Sequence, residues 1–186
     1  MSPNEAALFA SLYEEHQRHV YAYCRRRVTA DIVDDVVADV YLAVWRRISD
    51  APTADGIRPW LYRIAYLVTS NHWRGASRRR KLESKLESIG VSSGVSIPDQ
   101  IIVREEVREA LQILERLNSN DREIIKLSVW EELSNPEISA VLQIDENTVR
   151  QRLFRAKKRL TREYEQRLEQ RLEKSAAPAA QKGGER

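Results

Sequence analysis

Arg150, Gln151, Phe154, Arg155 and Lys158 recur at helical spacing in a segment with no acidic residue between Thr148 and Arg162. These side chains suit the reading of duplex DNA. Arginine forks onto guanine, glutamine onto adenine, and an aromatic ring lies against the thymine methyl. Lysines further along meet phosphates, which give affinity with little sequence information. Val149, Leu153, Ala156 and Leu160 form the apolar stripe that would bury this helix. A basic run is ordinarily a solvated surface. Here base-reading side chains coincide with helix caps and a tight turn, which favours nucleic acid.

The elements that must position this helix are legible just upstream. Ser134-Asn135-Pro136-Glu137 reads as a capping box with proline in the first turn. Ile138, Val141 and Leu142 mark the apolar face of a helix only about two turns long. Gln143-Ile144-Asp145 makes the turn, and Asp145 is a second N-cap with Glu146 behind it. A short helix, a turn and a longer basic helix is the helix-turn-helix pattern, whose second helix enters the major groove.

Two other stretches carry chemistry. Asp31, Asp34, Asp35 and Asp39 form an acidic face in the first half of a helix expected over 31–48. Carboxylate pairs can serve acid–base catalysis or metal binding. No histidine or glycine-rich loop accompanies these, so a solvated or partner-facing surface is the better reading. In the helix that the pattern starts at Pro59, Trp60, Tyr62, Tyr66 and Trp73 alternate with Arg63, Asn71 and Arg74, and Arg78, Arg79, Arg80 and Lys81 follow. Such interleaving suits opened DNA, with bases on rings and cations on the backbone. Alone, the stretch reads equally as core tryptophans and surface arginines. His16, His19 and His72 lack partners at metal-ligand spacing. No metal, cofactor or catalytic constellation is expected, so the chain is not expected to be an enzyme.

The chain has 186 residues, a formal net charge of +3, 32% charged and 42% hydrophobic residues, and six glycines and six prolines. Low turn content with amphipathic periodicity predicts an all-α protein. Further helices are expected over 5–28 (Leu8, Leu12, Val20, Cys24 and Val28 inside), 101–117 (Val103, Val107, Ala110, Leu111 and Leu114 inside) and 121–131, the last capped by Ser119 or Asn120. The Val33, Val36, Val37, Val40, Val44 and Ile48 stripe is the core of the second helix. Ser49–Arg58 is expected to be a loop. Residues 82–100, with a tandem Lys-Leu-Glu-Ser and then both Gly and Pro, read as a flexible linker that would let two halves sit apart. The organisation expected is a domain at 1–81, a linker at 82–100, a domain at 101–174 and a disordered tail at 175–186. The lone Cys24 fits a reduced cytoplasm, and no apolar run approaches the ~18–20 residues of a membrane span.

The acidic helix ending in Leu42-Ala43-Val44-Trp45-Arg46-Arg47, followed by Pro59-Trp60-Leu61-Tyr62-Arg63-Ile64-Ala65, resembles the second conserved region of bacterial RNA polymerase sigma factors. The stretch from Leu117 to Leu160 resembles their fourth region. A short linker with no third domain between them resembles the extracytoplasmic-function (group IV) branch of the sigma-70 family. The resemblance spans about residues 8–165.

It implies a promoter-specificity subunit that binds core polymerase, directs it to promoters and helps open the DNA. Asp35, Asp39, Trp45 and Arg46 would face the β′ clamp helices, and the second domain would meet the β flap. The loop at 50–58 and the helix from Pro59 would hold the −10 element through Arg63, Asn71, Trp73, Arg74 and Arg78, with one base flipped into a pocket. Thr148, Arg150, Gln151, Phe154, Arg155 and Lys158 would read the −35 element. The family also suggests an anti-sigma factor as partner. Three departures stand out. Tyr66-Leu67 replaces the common Arg-Asn, Asn147 the common Gly before Thr148, and Glu132-Leu133-Ser134 the common Gly-Leu-Ser, a change expected to be harmless. The rival reading is a stand-alone helix-turn-helix regulator, which would not need the acidic or aromatic-basic helices.

Overall fold

The computed structural model describes residues 2–52, 54–83 and 105–176. Among the described residues there are α-helices and one 3₁₀ turn, and no strand: α1 (Pro3–Arg25), α2 (Val33–Arg46), the turn Ile48–Asp50, α3 (Ala54–Glu83), α4 (Glu105–Arg116), α5 (Ser119–Val129), α6 (Asn135–Leu142) and α7 (Glu146–Ala176). Most of the expected linker at 82–100 lies outside the described residues; its first two residues end α3. Most of the expected tail at 175–186 also lies outside them, while Ser175 and Ala176 close α7.

α1, α2 and α3 pack on one another, and α4, α5 and α6 pack with α7. The valine stripe of α2 behaves as its spacing requires, with Val36, Val40 and Val44 fully buried against Leu12, Val20 and Cys24 of α1 and Leu61, Ile64 and Ala65 of α3. Burial pushes the Cys24 thiol up to about 12, so it is an inert core residue. In the second half, Val149 and Ala156 of α7 are buried with Leu114, Leu117, Ile124, Ile125 and Leu127.

Several expectations need correction. α3 begins at Ala54, not at Pro59, which lies inside the helix. The loop is therefore short, and Gly56 approaches Pro52 so closely that an added Cβ would meet the proline Cβ at 2.9 Å. Asn118, not Ser119 or Asn120, caps α5, its Oδ1 accepting from the Asp121 amide at 2.9 Å. α1 starts earlier than expected because Ser2 and Glu5 form a capping box before the periodic pattern begins. Leu8 and Val107, expected inside, are exposed. Val103 lies outside the described residues.

The two halves also do not sit apart. α6 packs along α3, and a single apolar cluster runs from Leu12 through Leu61 and Ile64 to Ile138 and Val141. The linker length that would let the halves separate does not oblige them to, because α3 and α6 each keep an apolar face that gains by burial.

Candidate nucleic-acid interface

The helix-turn-helix is assembled by local chemistry. Glu137 Oε2 accepts from the Ser134 amide at 2.8 Å and from its hydroxyl at 2.7 Å, closing the expected capping box. Burial raises the Glu137 carboxyl, but these bonds outweigh it and hold the group below its usual range. Gln143 ends α6 in the left-handed conformation at φ 56°. Ser139 Oγ donates to the Ile144 carbonyl at 2.6 Å and ties the turn. Asp145 Oδ1 accepts from the Thr148 amide at 3.1 Å, the second cap expected from the sequence. The left-handed residue of the turn is thus Gln143; Asn147, expected to need unusual backbone angles, lies inside α7.

At 3.6 residues per turn, Gln151, Phe154, Arg155 and Lys158 cover an arc of α7 opposite Val149, Leu153 and Ala156. Arg150 lies at one edge of that arc and the half-buried Thr148 at the other. Phe154 is 67% exposed, a large apolar ring with no core to join. Arg150 pairs with Glu146 at 3.0 Å, and Arg155 donates to Gln151 at 3.1 Å. Such exposed contacts are worth about 0.2–1 kcal/mol, so bases can displace them readily. The arc meets no other element of the chain and is open to a groove.

α3 differs. Asn71, Trp73 and Arg74 do come together: Arg74 Nη2 donates to Asn71 Oδ1 at 2.6 Å, and Trp73 Nε1 donates to the Arg27 carbonyl at 2.6 Å. Arg63 lies about 12 Å back along the helix by its rise, and its Nη1 donates to the Val141 carbonyl of α6 at 2.9 Å. The Arg78 side chain lies outside the described residues. A cavity of about 470 Å³ opens between Tyr66, Leu67, Thr69 and Trp73 on one side and Asn120 and Lys126 of α5 on the other. Leu67, in place of the family's polar residue, gives that cavity an apolar wall.

On α2, Asp35, Asp39 and Arg46 fall within a narrow stripe of exposed residues. Asp39 Oδ2 lies 3.0 Å from His72 Nε2 of α3. Trp45 sits on the adjoining face, edge-on to Phe9 at 4.8 Å. No group of three or more metal-ligating side chains is assembled among the described residues, and no helix there is long and apolar enough to cross a membrane.

Sequence reasoning missed the residues that join the halves. Arg27 bonds to Glu123 at 2.9 Å and to Glu131 at 2.9 Å, Arg26 to Glu131 at 2.5 Å, and Tyr23 Oη donates to Glu123 at 3.2 Å. Arg58 adds a bond to the Glu131 carbonyl at 2.8 Å. The side chains of Arg27 and Glu131 are 5% and 1% exposed. Burial would discharge Arg27, but Tyr23, Glu123 and Glu131 outweigh it and raise its pKa. The contacts between Arg26 or Arg27 and their glutamates span 96 to 105 residues. The only visible signal was the Arg25–Arg27 cluster, which the sequence assigns to a helix end.

The model of sigma-70 region 2 matches residues 12–79, and that of sigma-70 region 4 matches residues 108–160. The chain is 30% identical over 161 residues to the RNA polymerase sigma factor NccH of Alcaligenes xylosoxydans xylosoxydans, covering 82% of this chain and 84% of that protein. It is 29% identical to the ECF RNA polymerase sigma-E factor of Escherichia coli strain K12, over 80% of this chain and 82% of the relative. In fold it is similar to the Bartonella quintana sigma factor RpoE, solved in complex with the anti-sigma factor NepR, with a TM-score of 0.63 at 20% identity over 83% of this chain and 94% of that one.

Proposed function

We propose how this chain works from the premise that it belongs to the sigma-70 family of RNA polymerase sigma factors, in the extracytoplasmic-function branch. It is a sigma factor: it binds core RNA polymerase and directs promoter recognition, DNA opening and transcription initiation. A stand-alone helix-turn-helix regulator would not carry the region 2 half.

In our reading the domain at 1–81 serves core polymerase and the −10 element, and that at 101–174 serves the −35 element. The observation that carries the assignment is the open arc on α7. Arg150 and Arg155 fork onto guanine, Gln151 onto adenine, and the exposed Phe154 ring covers a thymine methyl. Lys158 and the Thr148 backbone region meet phosphate, so binding weakens as salt rises. Arg63, Asn71, Trp73, Arg74 and Arg78 hold the separated −10 strand; flipping one base costs a few kcal/mol, offset by stacking and backbone contacts. Asp35, Asp39, Trp45 and Arg46 meet the β′ clamp helices, and the α4–α7 half meets the β flap. The work is done by binding rather than by a chemical step of the chain's own, and it takes place in the cytoplasm. An anti-sigma factor is a further partner in this reading; the similar Bartonella quintana protein was solved with one.

Run-off transcription with core polymerase on genomic fragments tests the assignment. Defined start sites that disappear when Arg150 and Arg155 are both changed to alanine are expected. An unchanged set of start sites would remove α7 from promoter reading.

A further inference from the structure

The face of α3 assigned to the separated strand is not free. Arg63 is bonded to the Val141 carbonyl of α6. Trp73 and Arg74 border a cavity closed on its far side by Ser119, Asn120 and Lys126 of α5. A strand laid along α3 would run into α5 and α6. The stripe of Asp35, Asp39 and Arg46 and the reading arc of α7 lie outside this seam. One binding surface is covered while two stay exposed.

The seam is fastened by charge. Arg26 and Arg27 converge on Glu123 and Glu131, and Glu131 takes both arginines at once. Around them lie Tyr23, Arg58 and, 5.6 Å from the Arg26 guanidinium, the Trp130 ring. Buried ion pairs of this kind gain little net free energy, because desolvation of each ion nearly cancels the attraction. They are exacting about geometry, however: losing one partner leaves its mate buried and unpaired. When the halves part, all four charges rehydrate together. An arrangement with such a balance is specific when shut and readily shifted by any ligand that prefers it open.

We propose that the chain by itself is latched shut by Arg26 and Arg27 against Glu123 and Glu131, that the latch masks the strand-reading face of α3, and that core polymerase opens it. The order follows from what the seam leaves exposed. The acidic stripe docks on the enzyme first, and only then does α3 become available to single-stranded DNA. Free sigma is thereby kept from capturing separated strands away from a promoter. The masking part rests on the −10 assignment made above; the latch itself does not.

The experiment uses the full chain with spin labels at Glu14→Cys and Glu165→Cys, both exposed sites on opposite halves; Cys24 is buried and stays unlabelled. The free protein should give one short, narrow distance distribution. Adding core polymerase, or changing Glu123 and Glu131 together to glutamine, should lengthen and broaden it while helix content stays unchanged. Arg26→Ala, at the rim of the seam, supplies a milder variant with a smaller shift in the same direction. A broad distribution in the free wild-type chain, or distances that ignore both the glutamine changes and polymerase, would overturn the latch. Binding of a single-stranded oligonucleotide then tests the masking. The opened variant should bind at least about tenfold more tightly than the wild type, the ratio expected when a competent state rises from a tenth of the population or less. If distances lengthen without any gain in binding, the masking is overturned. In that case Arg63→Ala in the opened variant tells whether α3 reads the strand at all: weaker binding keeps the −10 assignment, and unchanged binding removes it.

Discussion

α7 and α3 are both assigned to DNA, yet they stand in opposite states. The reading arc of α7 points away from its core, with Phe154 exposed and its arginines held only by contacts one turn away. The corresponding face of α3 is engaged by α5 and α6 through Arg63 and the cavity beneath Trp73. The difference follows from their targets. Duplex DNA is present at all times and needs a preformed reader. Separated strand exists only after opening, so a reader exposed early would meet the wrong ligand.

The largest effect expected comes from the surface both readers depend on. Asp35→Lys with Asp39→Lys places two cations on the exposed stripe of α2 and should abolish co-purification with core polymerase. Retention of the complex would move the enzyme-binding surface elsewhere and leave both readers without their common support. Next comes the open reader. Arg155→Ala should cost roughly 1–3 kcal/mol of −35 discrimination, the worth of a bidentate base contact. Comparing transcription from matched and altered −35 elements measures it, and an equal loss on every sequence would demote Arg155 to a phosphate contact.

Two further changes sharpen the account of the covered reader. Gly56→Ala forces a methyl against Pro52 at the start of α3. It should lower stability by about 1–3 kcal/mol, the usual cost of overpacking, read from the urea midpoint. No change would mean that the loop shifts without strain. Glu132→Gly should do the reverse. Glu132 has φ 54° beside the latch residue Glu131, and releasing a left-handed non-glycine residue should raise stability by up to roughly 1 kcal/mol. A thermal midpoint that does not rise would show that the strain is negligible there.

The legible parts of the molecule were those built by neighbours in sequence. Ser134 with Glu137 and Asp145 with Thr148 are three-residue devices, and the α2 valines and the α7 stripe follow a helical period. The duplex reader could therefore be assembled from its residues alone. The backbone was harder. Pro59 marked a helix start because proline is tolerated in a first turn, whereas α3 begins five residues earlier at Ala54. The Glu132 replacement was expected to be harmless, but the turn needs a positive φ that glycine adopts freely. The seam was least visible, since contacts between residues about a hundred positions apart leave no period or spacing. Arg26 and Arg27 look like a helix-end cluster until Glu123 and Glu131 are seen opposite them.

The central claim is that one chain carries two separate grips on DNA, one for intact duplex and one for separated strand. Footprinting of the holoenzyme on one promoter, combined with permanganate probing of unpaired thymines, tests it most directly. Changing Arg150 and Arg155 to alanine should erase protection over the −35 element. Changing Arg63 and Trp73 to alanine should keep that protection and abolish thymine reactivity near −10. If both pairs of changes erase the same signal, the division of labour between α7 and α3 is contradicted.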